Sequence, residues 1–138
     1  MGATHETEVL LVYDRQCPAC EFYCRHAEID AAHGMLRRID AREASEVRDR
    51  ITRAGLDIDQ GMVLATNGHL YYGADAIHEL ARRAPVRGAF HRLSRTLFGS
   101  AARARLLYPV LRACRNVLLK VLGKTKINNL GLPHNDRF

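Results

Sequence analysis

The sequence predicts an α/β fold in which one mixed four-stranded sheet is covered by three helices and followed by a C-terminal helical extension. Three observations predict it. Short apolar runs alternate with stretches of helical periodicity between residues 9 and 85. The first two runs are separated by a helical crossover and so pair in parallel, while the last two are joined by a two-residue turn and so form an antiparallel hairpin. Beyond Pro85 no strand-like run appears and only helical stripes remain. A length of 138 residues suits one domain, and 47% apolar with 26% charged residues excludes a disordered chain.

The elements follow in order. Val9–Tyr13 is an apolar run with β-branched residues, readable as a buried strand. Pro18 to His33 reads as a helix, with Pro18 in its first turn and Gly34 just past its end. Met35–Ile39 is the second strand. Asp40 is placed to cap a second helix with the stripe Ala44, Val47, Ile51 and Ala54, which Gly55 ends. Met62–Thr66 and His69–Tyr72 are strands joined by Asn67-Gly68, the dipeptide that a type I′ hairpin turn favours. Gly73-Ala74-Asp75 opens a helix with Ile77, Leu80, Ala81 and Ala84 along one side, and Pro85 closes it. The order β-α-β-α-β-β-α is that of the thioredoxin-like fold. This core spans residues 1–85, and residues 86–138 form the extension.

The charge divides at the same place. Residues 1–84 carry 10 basic and 14 acidic side chains, whereas residues 85–138 carry 11 basic ones and a single acid, Asp136. Within the extension, Phe90, Leu93, Leu97 and Phe98 make one short stripe. Leu106, Leu107, Val110, Leu111, Cys114, Val117, Leu118, Val121 and Leu122 make a longer one, with Arg103, Arg105, Arg112, Arg115, Lys120 and Lys124 on its polar side. Pro109 kinks this helix or marks its start. The stripe fits either a cap packed on the core or an anchor, with peripheral membrane contact through residues 101–124. Nucleic acid is disfavoured, because the basic charge comes without a recognised motif or an aromatic stacking array. The closing segment from Lys124 reads as irregular.

No run of about 18 apolar residues predicts a transmembrane helix. No secretory signal opens the sequence, and Glu6 breaks the myristoylation pattern. The expectation is a cytoplasmic protein, peripheral to the membrane if the extension is an anchor, with its thiols kept reduced. Three of the four cysteines, Cys17, Cys20 and Cys24, fall within eight residues, which points to redox or metal chemistry rather than to a disulfide scaffold.

Cys17-Pro18-Ala19-Cys20 stands where the first strand gives way to the first helix. Free amide N–H groups and the helix dipole stabilise a thiolate there. An exposed Cys17 would be the nucleophile of lowered pKa, and a more sheltered Cys20, one turn on, would resolve the mixed disulfide. The rival reading is a zinc or purely structural cluster. Cys24 lies on the Cys20 face of the helix and reads most simply as a small buried apolar residue, although a third redox thiol or a metal ligand stays open. His26 lies about 200° from Cys24 around a helix, and His33 is more than two turns beyond it, so zinc lacks a local fourth ligand. The spacing also reverses that of a radical-enzyme iron–sulfur motif. Cys114, in the apolar stripe, reads as packing, and His69, His78 and His91 as surface or half-buried positions.

Val12 to Cys20, read as Val-Tyr-Asp-Arg-Gln-Cys-Pro-Ala-Cys, resembles the D-x-x-C-x-x-C signature of the DCC-type thiol–disulfide oxidoreductase family. Tyr71 to Ala76 resembles its strand-to-helix motif, and Leu107-Tyr108-Pro109 through Arg115-Asn116 its C-terminal helical segment, so the resemblance spans residues 9–123. It implies a thioredoxin-like fold, disulfide exchange with a protein or small-molecule thiol/disulfide substrate, no bound cofactor and no metal. It makes Asp14, Cys17 and Cys20 the signature residues. Asp14 then either relays the proton of Cys20 or bonds to backbone amides of the turn. Two departures stand out. Arg15 replaces the family's usual glycine, which costs strain if the turn needs positive φ, or else places a cation beside Cys17. Gln60-Gly61-Met62 lacks the proline that thioredoxins carry before the third strand. The alternative from another class is a non-enzymatic membrane- or partner-binding module with structural or zinc-bound cysteines.

Overall fold

The computed structural model describes residues 8–29, 34–66, 69–85, 88–135 and 137. Strands β1 (Glu8–Tyr13), β2 (Met35–Asp40), β3 (Val63–Thr66) and β4 (His69–Tyr72) form one sheet in the order β2-β1-β3-β4. β1 and β2 run parallel, with Val9 opposite Leu36. β3 runs antiparallel to both its neighbours, with Leu64 opposite Leu11 on one side and Tyr71 on the other. The helices are α1 (Pro18–His26), α2 (Glu46–Arg53), α3 (Ala74–Arg83), α4 (Gly88–Phe98) and α5 (Ala101–Val121). The first seven elements are those expected, in the expected order.

The sheet is covered on both faces, which is why its central strand reads as a continuous apolar run rather than an alternating one. Val9, Leu11 and Tyr13 point to the side of α1 and α3, where they meet Cys24, Leu64, Ala76 and Leu80. Val12 points the other way, to Val47 and Ile51 of α2. A third cluster joins Ile77 and Ala81 of α3 to Phe98 of α4 and Ala104 of α5.

Several boundaries differ from the sequence reading, each for a physical reason. α1 stops at His26 instead of His33, because Ala27 turns to extended backbone. The Arg38 guanidinium from β2 takes over the released carbonyls of Cys24, Arg25 and Ala27, at 2.7, 3.2 and 2.6 Å. His33 lies outside the described residues. α2 is capped by Ser45, whose Oγ accepts the Arg48 N–H at 3.2 Å, and not by Asp40. Asp40 instead accepts the Arg42 N–H and closes the turn before the helix. Val47 and Ile51 are buried as expected, but Ala44 precedes the helix and Ala54 is exposed. The Asn67-Gly68 turn lies outside the described residues, although Thr66 and His69 pair across it.

Gly73 precedes α3 with φ 61°, a conformation that side chains resist, and a Cβ there would stand 3.4 Å from the Tyr108 ring. α5 runs unbroken through Pro109, which neither starts nor ends it. Ala104, Leu107 and Tyr108 of α5 pack toward the α3–α4 cluster, and Leu119 is fully buried. Most of the long apolar stripe therefore points outward. Leu106, Val110, Leu111, Cys114, Val117, Val121 and Leu122 are exposed. The closing segment is irregular yet firmly held. Buried Asp59 accepts the N–H groups of Ile127 and Asn128 at 2.8 and 2.7 Å, and Asn129 bonds the backbone of Leu56 and Ile58.

Candidate functional site: a dithiol at a helix N-terminus

Cys17 is the N-cap of α1. Its Sγ accepts the Cys20 backbone N–H at 3.3 Å, and Pro18 occupies the first position of the helix. Both thiols are free and lie in the first turn. The Cys17 thiol is lowered to about 6. The hydrogen bond donated by the Cys20 thiol contributes most. The Cys20 backbone N–H and the Arg115 guanidinium add to it, while burial and the Asp14 charge oppose it. Cys20 moves the opposite way, far above the ordinary thiol range, chiefly because its proton is held by the Cys17 sulfur and then because it is buried. The pair thus shares one proton, placed on Cys20.

Exposure departs from expectation. Cys17 has no accessible surface, and Cys20 is the partly exposed member. Burial disfavours the charge of both thiols, and at Cys17 the hydrogen bonds it accepts outweigh it.

Asp14 lies beneath the dithiol with a side chain 1% exposed. Its Oδ1 accepts the Gln16 N–H at 2.9 Å, the turn-forming bond foreseen for it. Arg42 then grips the carboxylate through both Nε and Nη2, at 2.8 and 3.0 Å, and Arg115 approaches Oδ2 at 3.4 Å. Arg115 also donates to the backbone carbonyl of Asp59. A carboxylate buried between two guanidiniums satisfies its charge and fixes theirs. The cation that acts on Cys17 is therefore Arg115, one hundred residues away along the chain, and not Arg15. Arg15 is exposed, takes no positive φ, and points its guanidinium toward Tyr13 and the Arg38 carbonyl.

Arg42 and Arg115 were not singled out from the sequence, and Arg115 was assigned to the polar side of its helix. Arg115 stands within about 40° of both Tyr108 and Leu119 around α5, the side of the helix that the fold packs inward and that the sequence pattern does not mark. The same helix supplies Tyr108, whose hydroxyl accepts the Met62 N–H at 2.9 Å and so occupies the backbone just before β3. Gly61 is tightly enclosed there, since a Cβ would lie 3.0 Å from the Tyr72 ring.

A cavity of about 550 Å³ opens between α1, α4 and α5. Its walls are Phe22, Phe90, Leu93, Leu97, Leu111 and Leu118, and Cys20 lies in the wall while Cys17 does not. Cys24 is buried in the core, and burial pushes its thiol up to about 12, as suits a packing residue. Cys114 is exposed beside the cavity instead of packed. His26 is exposed and bonds the Phe22 carbonyl, while His78 bonds that of Phe98. Among the described residues no three His, Cys, Asp or Glu side chains converge as a metal site. No helix among them is long and apolar enough to cross a membrane.

A parallel β-α-β unit carrying a CxxC dithiol at the N-terminus of its helix, completed by an antiparallel hairpin and a third helix, defines a thioredoxin-like α/β protein. Within that class the chain belongs to the DCC1-like thiol-disulfide oxidoreductase family, whose model matches residues 11–121. That match takes in the sheet, the dithiol and α5 together. No curated protein and no solved structure matches the chain.

Proposed function

We propose that the protein exchanges disulfides through Cys17 and Cys20. The observation that carries this is the placement of the pair: Cys17 caps α1 and its Sγ accepts the Cys20 N–H at 3.3 Å, with the Cys17 thiol lowered and its neighbour's raised. The Cys17 thiolate attacks a substrate disulfide, forms a Cys17–substrate bond and expels one substrate thiolate. The sulfur that held the Cys20 proton then carries no charge, so the restraint on Cys20 is lifted. Cys20 gives its proton to the departing thiolate and attacks Cys17, and the second substrate sulfur leaves as a thiolate that takes its proton from water. The substrate disulfide gains two electrons, the dithiol loses two, and the reverse sequence oxidises a dithiol substrate.

Because no part of Cys17 reaches solvent, the first attack requires the atoms covering it to move aside. Asp14 acts as a positioning residue. Both its oxygens are engaged by guanidiniums, and one of these is the cation that favours the Cys17 thiolate. The substrate is a protein or a small molecule bearing a thiol or disulfide.

Mild oxidation followed by peptide mass spectrometry is expected to yield a Cys17–Cys20 crosslink that dithiothreitol reverses. Cys17→Ser is expected to abolish exchange. Cys20→Ser is expected to accumulate mixed disulfides on Cys17, and their recovery identifies the substrate. Equal exchange by wild type and Cys17→Ser would remove Cys17 as nucleophile. Stoichiometric zinc in protein purified under reduction would favour a structural role for the cysteines.

A further inference from the structure

The helical extension presents a surface that the dithiol chemistry does not use. Eight large apolar side chains stand exposed on α4, α5 and the residue that caps α5. On α5, Leu106, Val110, Val117 and Val121 are 75, 59, 63 and 78% exposed. They fall within about 60° of one another around the helix, so they form a single stripe along its length. On α4, Leu93 and Leu97 are 60 and 36% exposed. Side chains this apolar along one side of α5 make a patch that water does not favour.

What covers the patch is decided by its charge. Residues 88–135 hold nine basic side chains and no acidic one. Arg92, Arg95, Arg103, Lys120 and Lys124 are exposed and lie on the same two helices or just beyond them. A second copy of this chain would bring the same cations against themselves. Anionic lipid headgroups instead complement them, and long basic side chains reach headgroups while apolar neighbours enter the acyl boundary. α5 is 21 residues long but too polar to span, so it lies along the surface.

We propose that the outward face of α5 docks on an anionic lipid bilayer, with Leu106, Val110, Val117 and Val121 in the interface and the flanking arginines and lysines on lipid headgroups. Leu93, Leu97 and Leu111 are exposed and line the cavity that reaches Cys20. The surface contains neither Cys17 nor Cys20, so its failure leaves the exchange reaction untouched.

The test is sedimentation of the full chain with vesicles of equal parts phosphatidylcholine and phosphatidylglycerol, and with phosphatidylcholine alone. Binding to the anionic vesicles is expected at low salt, weakening as salt rises, with little binding to the neutral ones. The double variant Val110→Glu, Val117→Glu changes two exposed positions and is expected to weaken binding by about tenfold or more. The chain has no tryptophan, so Val117→Trp is a single reporter, and its emission is expected to shift to the blue on binding. No binding at low salt overturns the proposal. So does binding that the double variant leaves unchanged, or a tryptophan whose emission stays that of water. A dimer dissociated by the double variant and indifferent to vesicles would assign the face to a second copy and overturn it equally.

Discussion

Two sulfurs a turn apart differ in acidity because one donates its proton to the other, and the local turn alone produces most of that difference. Arg115 adds a further, distant contribution. Alkylation of Cys17 by iodoacetamide, which reads the thiolate, is expected to rise with a midpoint near pH 6 in the wild-type chain, below the roughly 8.5 of a free cysteine. At pH 7 most of Cys17 is then thiolate, and alkylation also requires the atoms covering it to move aside. Arg115→Ala removes a lowering influence, so the midpoint moves up. Asp14→Asn separates two roles by sign. If the carboxylate acts only through its own charge, which raises the Cys17 pKa, its loss moves the midpoint down. If it acts by holding Arg115 in place, its loss moves the midpoint up, and the positioning role assigned above expects the upward shift. The cysteines and Asp14 were readable in the sequence because their spacing is local. The arginines were not, because no local rule says which cation a fold brings back across a hundred residues.

At the scale of elements, the strands and helices were readable where periodicity and punctuation agreed. α3 is such a case, with Gly73 before it and Ile77, Leu80 and Ala81 buried along it. Boundaries failed where a tertiary partner decided them. α1 ends early because Arg38 satisfies its last carbonyls, and nothing near His26 in the sequence announces that. α2 starts late because Ser45 and Asp40 both suit a cap, and Asp40 is spent on the preceding turn. Gly73 illustrates the opposite case, a single residue on which a whole junction depends. Its positive φ is a conformation that a side chain resists, while a Cβ would meet the Tyr108 ring at ordinary contact distance. Gly73→Ala is expected to destabilise the fold by about 1–3 kcal/mol, read from urea denaturation. Because Tyr108 also holds the Met62 N–H, the same change is expected to loosen the approach to β3.

For the whole molecule, the division seen in the charges holds in sequence but not in space. Residues from the basic half complete the surroundings of the dithiol through Arg115 and Tyr108. The tail after α5 is tied to Asp59 and to the loop before it. Leu119 is fully buried on the inner side of α5, and Leu119→Ala is expected to cost about 2–5 kcal/mol. If α5 and the core form one cooperative unit, thermal unfolding of this variant remains a single transition at lower temperature. Two separate transitions would instead mark the extension as an independent unit. The outward apolar face was present in the sequence as a stripe, but its direction was not readable. Ala104 and Tyr108 lie on a second, less hydrophobic side that packs against Ile77 and Ala81 of α3.

Arg115 has a consequence for the order in which the protein becomes itself. A chain made from its N-terminus presents the CxxC pair about a hundred residues before the cation that completes its surroundings. Until α5 has been synthesised and has docked, Cys17 lacks that guanidinium and remains a weaker acid than in the finished fold. The guanidinium's contribution to the Cys17 thiolate thus arrives together with the last packed helix.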